Sequence, residues 1–219
     1  DLIIRDLATG AELNVGNVAE FAFDRSGKYL ATVIDAADKV GNGVQLRDMA
    51  AGTVLSLDTD AANYERLTWN DKGTGLTVLK GKEDRAYTDR LYSIVGFSGF
   101  GAGEPKKTVY DPSKDKNFPE GFAIAGTRAA TWTEGMDAFV FGIKQPRKRT
   151  TPAPGGRGGA AEGEGGDTPP PSTPPAGGDD DPEEKVDLVL WHWKDPRLQS
   201  QQQVQENADR NFSYLAIYH

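Results

Sequence analysis

Two histidines, His192 and His219, are the whole imidazole supply of this chain. Acid–base and metal chemistry near neutral pH draws first on such groups. His192 lies inside the strand-like run WHW, where a side chain satisfied within the fold explains it, and His219 is the last residue. Ser98, in GFSGFG, superficially resembles a nucleophile elbow. An elbow needs a strand, a sharp turn and a helix; here Gly, Pro and Lys follow, and the segment reads as a loop. There is no GxSxG, no HExxH and no phosphate-binding loop. Asp35, Asp38 and Asn42 in DAADKVGNG are oxygen ligands suited to calcium. Their spacing is not that of an EF-hand loop, and a Gly-Asn-Gly hairpin connection accounts for them. No catalytic, cofactor-binding or metal-binding residue is assigned, and no cofactor is expected.

Two further sets of side chains bear on binding. KQPRKR, Lys144–Arg149, is a short basic cluster of the kind that meets nucleic acid or membrane. It reads here as a solvated strand exit facing the acidic end of the loop that follows it. Trp69, Trp132, Trp191 and Trp193 are stacking-capable, but their strand positions predict wedges between packed sheets.

The elements that would position these residues follow from composition and pattern. The 219 residues carry a net charge of -8, which argues against nucleic acid as a partner. Much of the acid sits in one tract, and the rest is nearly neutral. There is no Cys, so disulfides and thiolate metal sites are excluded. No apolar run approaches transmembrane length, and no membrane insertion is expected. No signal-peptide pattern is present. The chain opens in LIIRDL and ends inside SYLAIYH, so both ends are expected to be cut from something longer.

A repeat runs through the chain. FAFDRSGKYLATV from Phe21 matches LTWNDKGTGLTVL from Leu67, at an offset of 46 residues. Alternating Phe21 and Phe23, then Leu67 and Trp69, give the period of two of a half-buried strand. Gly27 and Gly73 then supply the positive φ that a tight hairpin demands. LIIRDLATG from Leu2 likewise matches VQLRDMAAG from Val44. A third, weaker copy is ATWTEGMDAFVF from Ala130, with Trp132 in the place of Trp69 and Gly135 as its expected turn glycine. A period in the forties with four short strands per unit is the pattern of a propeller blade. The expected strands are 2–7 and 11–15; then 19–24, 29–34, 43–48 and 53–57; then 64–69, 75–80, 90–95 and 106–110; then 128–133 and 137–143.

Residues 152–185 hold no side chain larger than Ala that could enter a core. The composition predicts a disordered Gly/Pro/Asp-rich loop over 150–185, inserted within a blade of a single 1–219 domain. VDLVLWHW, Val186–Trp193, has the alternation of that blade's third strand, paired with Ala138–Ile143. Lengthening a loop from about 5 to about 40 residues costs only about 2 kcal/mol of closure entropy. Burying large apolar side chains at ~1.5–3 kcal/mol each offsets that. The rival reading is an interdomain linker, weakened because 186–219 is too short to bury a core alone. For DPRLQSQQQVQENADRN two readings stand: a helix capped by Asp195 with Pro196 first, or an irregular outer strand. FSYLAIYH reads as the first strand of another blade. The fold class is all-β: a partial β-propeller of four-stranded antiparallel blades with a disordered polar insertion.

The repeats resemble the TolB-like and WD40-like repeats of bacterial propellers. YERLTWNDKGTGLTVLKGKED, DRLYSIVGFSGFG and LWHWKDPRLQSQQQVQENADRNFSYLAIY look like the N-terminal region of bacterial prolyl oligopeptidase family proteins, the S9 serine peptidases. The resemblance covers nearly all of the chain outside the polar tract. It implies a non-catalytic propeller segment that gates oligopeptide access to a C-terminal α/β-hydrolase domain carrying a Ser-Asp-His triad. None of that triad falls on these positions. It implies as partners that hydrolase domain and the peptide substrates of the parent enzyme, in the periplasm or outside the cell. The alternative is a TolB-like propeller that scaffolds protein–protein contacts without enzymatic activity.

Overall fold

The computed structural model describes residues 1–101, 103–149, 194 and 196–219. The chain divides into two compact units, Asp1–Arg149 with Arg210–His219, and Thr150–Asp209. The predicted 150–185 loop and the predicted Val186–Trp193 strand, with His192, Trp191 and Trp193, lie outside the described residues.

The first unit is built of antiparallel meanders. A hairpin, β1 (Leu2–Arg5) and β2 (Glu12–Val15), comes first. The first four-stranded sheet follows: β3 (Val18–Phe23), β4 (Tyr29–Ile34), β5 (Gly43–Asp48) and β6 (Val54–Thr59), each paired with the next. The second repeats this order with β7 (Asn63–Trp69), β8 (Gly75–Lys82), β9 (Leu91–Ser98) and β10 (Lys106–Tyr110). These bounds agree with the sequence pattern to within three residues at every strand end. The third sheet holds the short β11 (Ala123–Ile124) and β12 (Thr131–Trp132) along one edge of β13 (Phe139–Lys144). The architecture is all-β, in sheets of blade topology.

Alternation along β8 shows how the sheets are held. Leu76 and Val78 point to the first sheet, where they meet Ala31, Val33, Val44 and Leu46. Leu79 points the other way and meets Phe139, Phe141 and Ile143 of the third sheet. The central strands β8 and β9 of the middle sheet are therefore buried on both faces over most of their length. Each of these side chains stabilises by ~1.5–3 kcal/mol.

Two expectations about the third sheet are corrected. The strand beside β13 is β14 (Tyr214–Tyr218), in the register Phe139↔Tyr218, Phe141↔Ala216 and Ile143↔Tyr214. With β11 and β12 on the other edge, FSYLAIYH is the segment that pairs with β13 and does not start a new blade, whereas Val186–Trp193, expected in that place, lies outside the described residues. Both segments alternate, and periodicity alone cannot say which one pairs. Aromatic contacts favour β14: Tyr218 stacks on Tyr110 at 3.9 Å, and Tyr214 meets Phe122 at 5.9 Å. The second correction concerns the turn before β13. Its positive φ falls at Met136 (58°), where Gly27 (73°) and Gly73 (70°) stand in the other copies, and not at Gly135. Met136 N–H closes the turn on Thr133 O at 3.0 Å. Its side chain lies over Gly75 and accepts a hydrogen bond at Sδ from Asn70.

Within the second unit, helix α1 (Gln199–Arg210) begins three residues after Pro196, so proline is not its first residue. Its last residue, Arg210, belongs to the first unit. Among the described residues of this segment no outer strand forms. Its run of Gln, Glu and Ala has strong helix propensity and no β-branched residue but Val204.

Candidate functional site

The first strands of the sheets form a polar seam. In both β3 and β7 the register slips within the strand, at neighbouring points of the repeat, between Val18 and Glu20 and between Glu65 and Thr68. A bulge leaves N–H groups turned away from the ladder. Glu20 meets those of β7: its carboxylate accepts from Arg66 N–H at 3.0 Å and Leu67 N–H at 2.8 Å. Arg66, at φ 62°, then sends its Nε to the Gly126 carbonyl at 2.9 Å. Tryptophans reinforce the seam as expected wedges. Trp69 Nε1 donates to Ala22 O at 3.1 Å, and Trp132 Nε1 to Leu76 O at 3.3 Å.

A second cluster joins the last strand of the first sheet to the second sheet. The buried Asp58 carboxylate accepts from Tyr64 Oη at 2.7 Å, Lys80 Nζ at 3.1 Å and Lys107 Nζ at 2.5 Å. Lys80 also pairs with Asp60 at 2.9 Å, and Lys82 with Asp60 at 3.2 Å. Burial pushes the Asp58 carboxyl up, but the hydrogen bonds from Lys107, Tyr64 and Lys80 outweigh it and hold it below the ordinary value. Hydrogen bonds from Lys80 and Lys82 lower Asp60 to about 2. Burial and the Asp58 bond push the Tyr64 phenol up. Burial pulls Lys80 down, and its bonds to Asp60 and Asp58 reverse this and raise it. A lysine base or nucleophile needs the opposite shift. The cluster is an electrostatic pin, not an acid–base pair.

A third set lies on the second sheet. Glu65 Oε1 accepts from Arg90 Nη1 and from Tyr92 Oη, both at 3.0 Å. Burial and the Glu65 charge push Tyr92 up to about 12.

A groove of the first unit, about 550 Å³, runs beside β14. Tyr110, Phe118, Phe141, Ile217 and Tyr218 supply its apolar wall, and Asp115 its charge. Asp115 is engaged already, since Oδ2 accepts from Tyr110 Oη at 2.9 Å and Oδ1 from Asn117 N–H at 2.9 Å.

The residues singled out from sequence have plain places. Ser98 ends β9 opposite Lys106 and Gly75, and Gly99 turns away at φ 78° with no helix after it. Asn42 is buried, and its amide donates to Asp35 at 2.7 Å and to the Ala62 carbonyl at 3.0 Å while its oxygen accepts from Ala36 N–H. It shapes the β4–β5 connection. Asp38 Oδ1 accepts from Val40 N–H within the same turn. Among the described residues no group of three or more His, Asp or Glu could hold a metal. His219 is exposed. The basic run leaves its strand at the surface, and Asp89 of the β8–β9 connection is an acidic partner, with Arg147 Nη2 at 3.1 Å; the acidic end of the loop that follows lies outside the described residues. Glu20 and Asp58 were not visible as site residues, because their partners come from strands distant in sequence.

No family model matches the chain, and no curated protein matches it. Among solved structures it is similar to the β-propeller domain of the trilobed protease from Pyrococcus furiosus, at 15% identity and a TM-score of 0.42, over 64% of this chain and 39% of that one. It is also similar to an acylaminoacyl peptidase from Pyrococcus horikoshii, at 13% identity and a TM-score of 0.40, over 64% of this chain and 23% of that one. Hydrazine synthase from Kuenenia stuttgartiensis gives 14% identity and a TM-score of 0.37, over 63% of this chain and 44% of that one. The chain thus spans less than half the length of each.

Proposed function

We propose that this chain is the non-catalytic propeller segment of a serine peptidase, where it limits which oligopeptides reach an α/β-hydrolase domain outside these 219 residues. The observation that carries this reading is the state of the ionisable groups. Asp58, Asp60, Lys80, Arg90 and Asp89 are each paired within the fold, and their shifts favour the charged, engaged forms. Such a surface supplies shape and contact, not a nucleophile or a base. The WHWKD and QSQQQVQ runs add the resemblance to prolyl oligopeptidase family proteins.

The test uses the full-length product of the gene and a fluorophosphonate probe, which labels an activated serine. Labelling is expected in the full-length protein and not in residues 1–219. A gate adds a second expectation. Loosening the sheet seam with Glu20→Ala should raise kcat/KM for a long peptide relative to a short one. Absence of any labelling in the full-length protein would sink the peptidase reading and leave the scaffold.

A further inference from the structure

The chain that leaves β13 does not turn back onto its own sheet. It crosses to the β8–β9 connection of the second sheet and builds a short antiparallel ladder there. Thr88 N–H donates to Arg147 O at 2.8 Å, and Arg149 N–H to Ala86 O at 2.9 Å, with Tyr87 and Lys148 facing each other as a bridge. Side chains lock the ladder. Asp89 Oδ2 accepts from Arg147 N–H at 3.0 Å, and Oδ1 lies 3.1 Å from Arg147 Nη2. Lys144 Nζ lies 3.7 Å from the same carboxylate, and Arg149 Nε donates to Tyr87 O at 2.9 Å. The Asp89 side chain is only 14% exposed, so this is a built contact and not a loose surface pair.

Arg147-Lys148-Arg149 is also a tribasic run, the preferred substrate of trypsin-like proteases. Such enzymes bind extended chain by adding it as a strand to their own backbone, and they need the substrate's N–H and C=O groups free. In the ladder the Arg147 N–H, the Arg147 C=O and the Arg149 N–H are taken. The run is at the surface, yet its backbone becomes available only when the contact opens locally.

We propose that Thr88 and Asp89 form a latch that masks a tribasic processing site at Arg147–Arg149. Opening the latch allows a trypsin-like protease to hydrolyse a peptide bond after one of these residues, with water supplying the new carboxylate and amine ends. The cut would sever the continuous chain between β13 and β14.

Limited trypsin digestion of the 219-residue chain, followed by mass spectrometry of the new termini, tests this. Cleavage after Arg147, Lys148 or Arg149 is expected at least tenfold faster in Asp89→Asn than in the parent chain. Cleavage after Arg25 and Lys72, in distant turns, should not change. Thr88→Pro, which deletes the N–H given to Arg147 O, should act the same way. Equal rates after Arg147–Arg149 in parent and both variants would overturn the latch. So would a rise at Arg25 and Lys72 of the same size, since that reports general unfolding.

Discussion

Glu20 and Arg66 stand 46 residues apart, and the carboxylate of one accepts the backbone N–H of the other at 3.0 Å. They hold equivalent places in the repeat, each at the bulge of a first strand. The repeat therefore does more than copy a strand pattern. It brings a side chain of one copy to the backbone defect of the next, as it also brings Arg25 Nη1 to Asp71 O at 3.0 Å across the same interval.

Removing that side chain leaves two N–H groups without their acceptor. Charge-assisted hydrogen bonds contribute about 1.5–3 kcal/mol. Glu20→Ala is expected to destabilise the chain by about 2–3 kcal/mol, measured by urea unfolding, with Glu20→Gln recovering part of the loss. A change below about 0.5 kcal/mol in Glu20→Ala would mean that water replaces the carboxylate there.

Close approach of the second and third sheets rests on missing side chains. A Cβ on Gly96 would lie 2.6 Å from Phe139 and 2.7 Å from Trp132, both ring carbons with little room to move. Gly96→Ala is expected to destabilise by roughly 1–3 kcal/mol through overpacking. Gly10→Ala, where nothing lies within 4 Å, tests backbone strain alone at φ 73°. Thermal unfolding of both variants separates the two causes. The prediction fails if Gly96→Ala melts at or above the parent temperature.

Much of this was legible in the sequence, for a physical reason. Strand alternation and positive-φ glycines are local, so β3 to β10 could be bounded from residues within each strand and turn. Met136 escaped because the turn's φ is set by which N–H closes on Thr133, and Gly135 one place earlier gave a stronger local signal. The partner of β13 escaped because two segments alternate equally, and the choice lies in ring contacts such as Tyr110 with Tyr218. The Asp58 cluster had no local signal at all, since Asp58 and its three donors come one each from β6, β7, β8 and β10.

Asp58 is held by three donors at 6% side-chain exposure, and Lys80 beside it is 16% exposed. Removing one partner from a buried pair strands the other charge, at a cost of about 3–5 kcal/mol. Asp58→Ala is expected near the lower end, about 3 kcal/mol, because Asp60 still faces Lys80. Chemical denaturation of Asp58→Ala measures this. Lys80→Met with Asp58→Leu should recover part of the loss, because Lys80 then has no charge to strand while Lys107 and Tyr64 still lose their acceptor. Failure of that double variant to improve on Asp58→Ala would assign the effect to packing, not to charge.

Acid should loosen the same cluster in a defined window. Asp60 has an ordinary value of 3.8 when unfolded and about 2 when folded, because Lys80 and Lys82 bond its charged form. A depressed carboxyl stabilises the fold fully above its unfolded value and loses that contribution as pH falls through the folded one. The contribution of Asp60 is therefore complete above about pH 4 and gone below about pH 2. Asp58 is lowered as well and adds to the loss in the same direction. Melting temperature measured from pH 5 to pH 2 should fall more steeply in the parent chain than in Asp60→Asn, which has no proton to take up there. Salt should flatten the parent curve further, since Asp60 is partly exposed and its pairs are screened. Parallel curves for the two proteins would remove Asp60 from the acid transition and shift the burden to Asp89, whose carboxyl is lowered despite its burial by the bonds from Arg147.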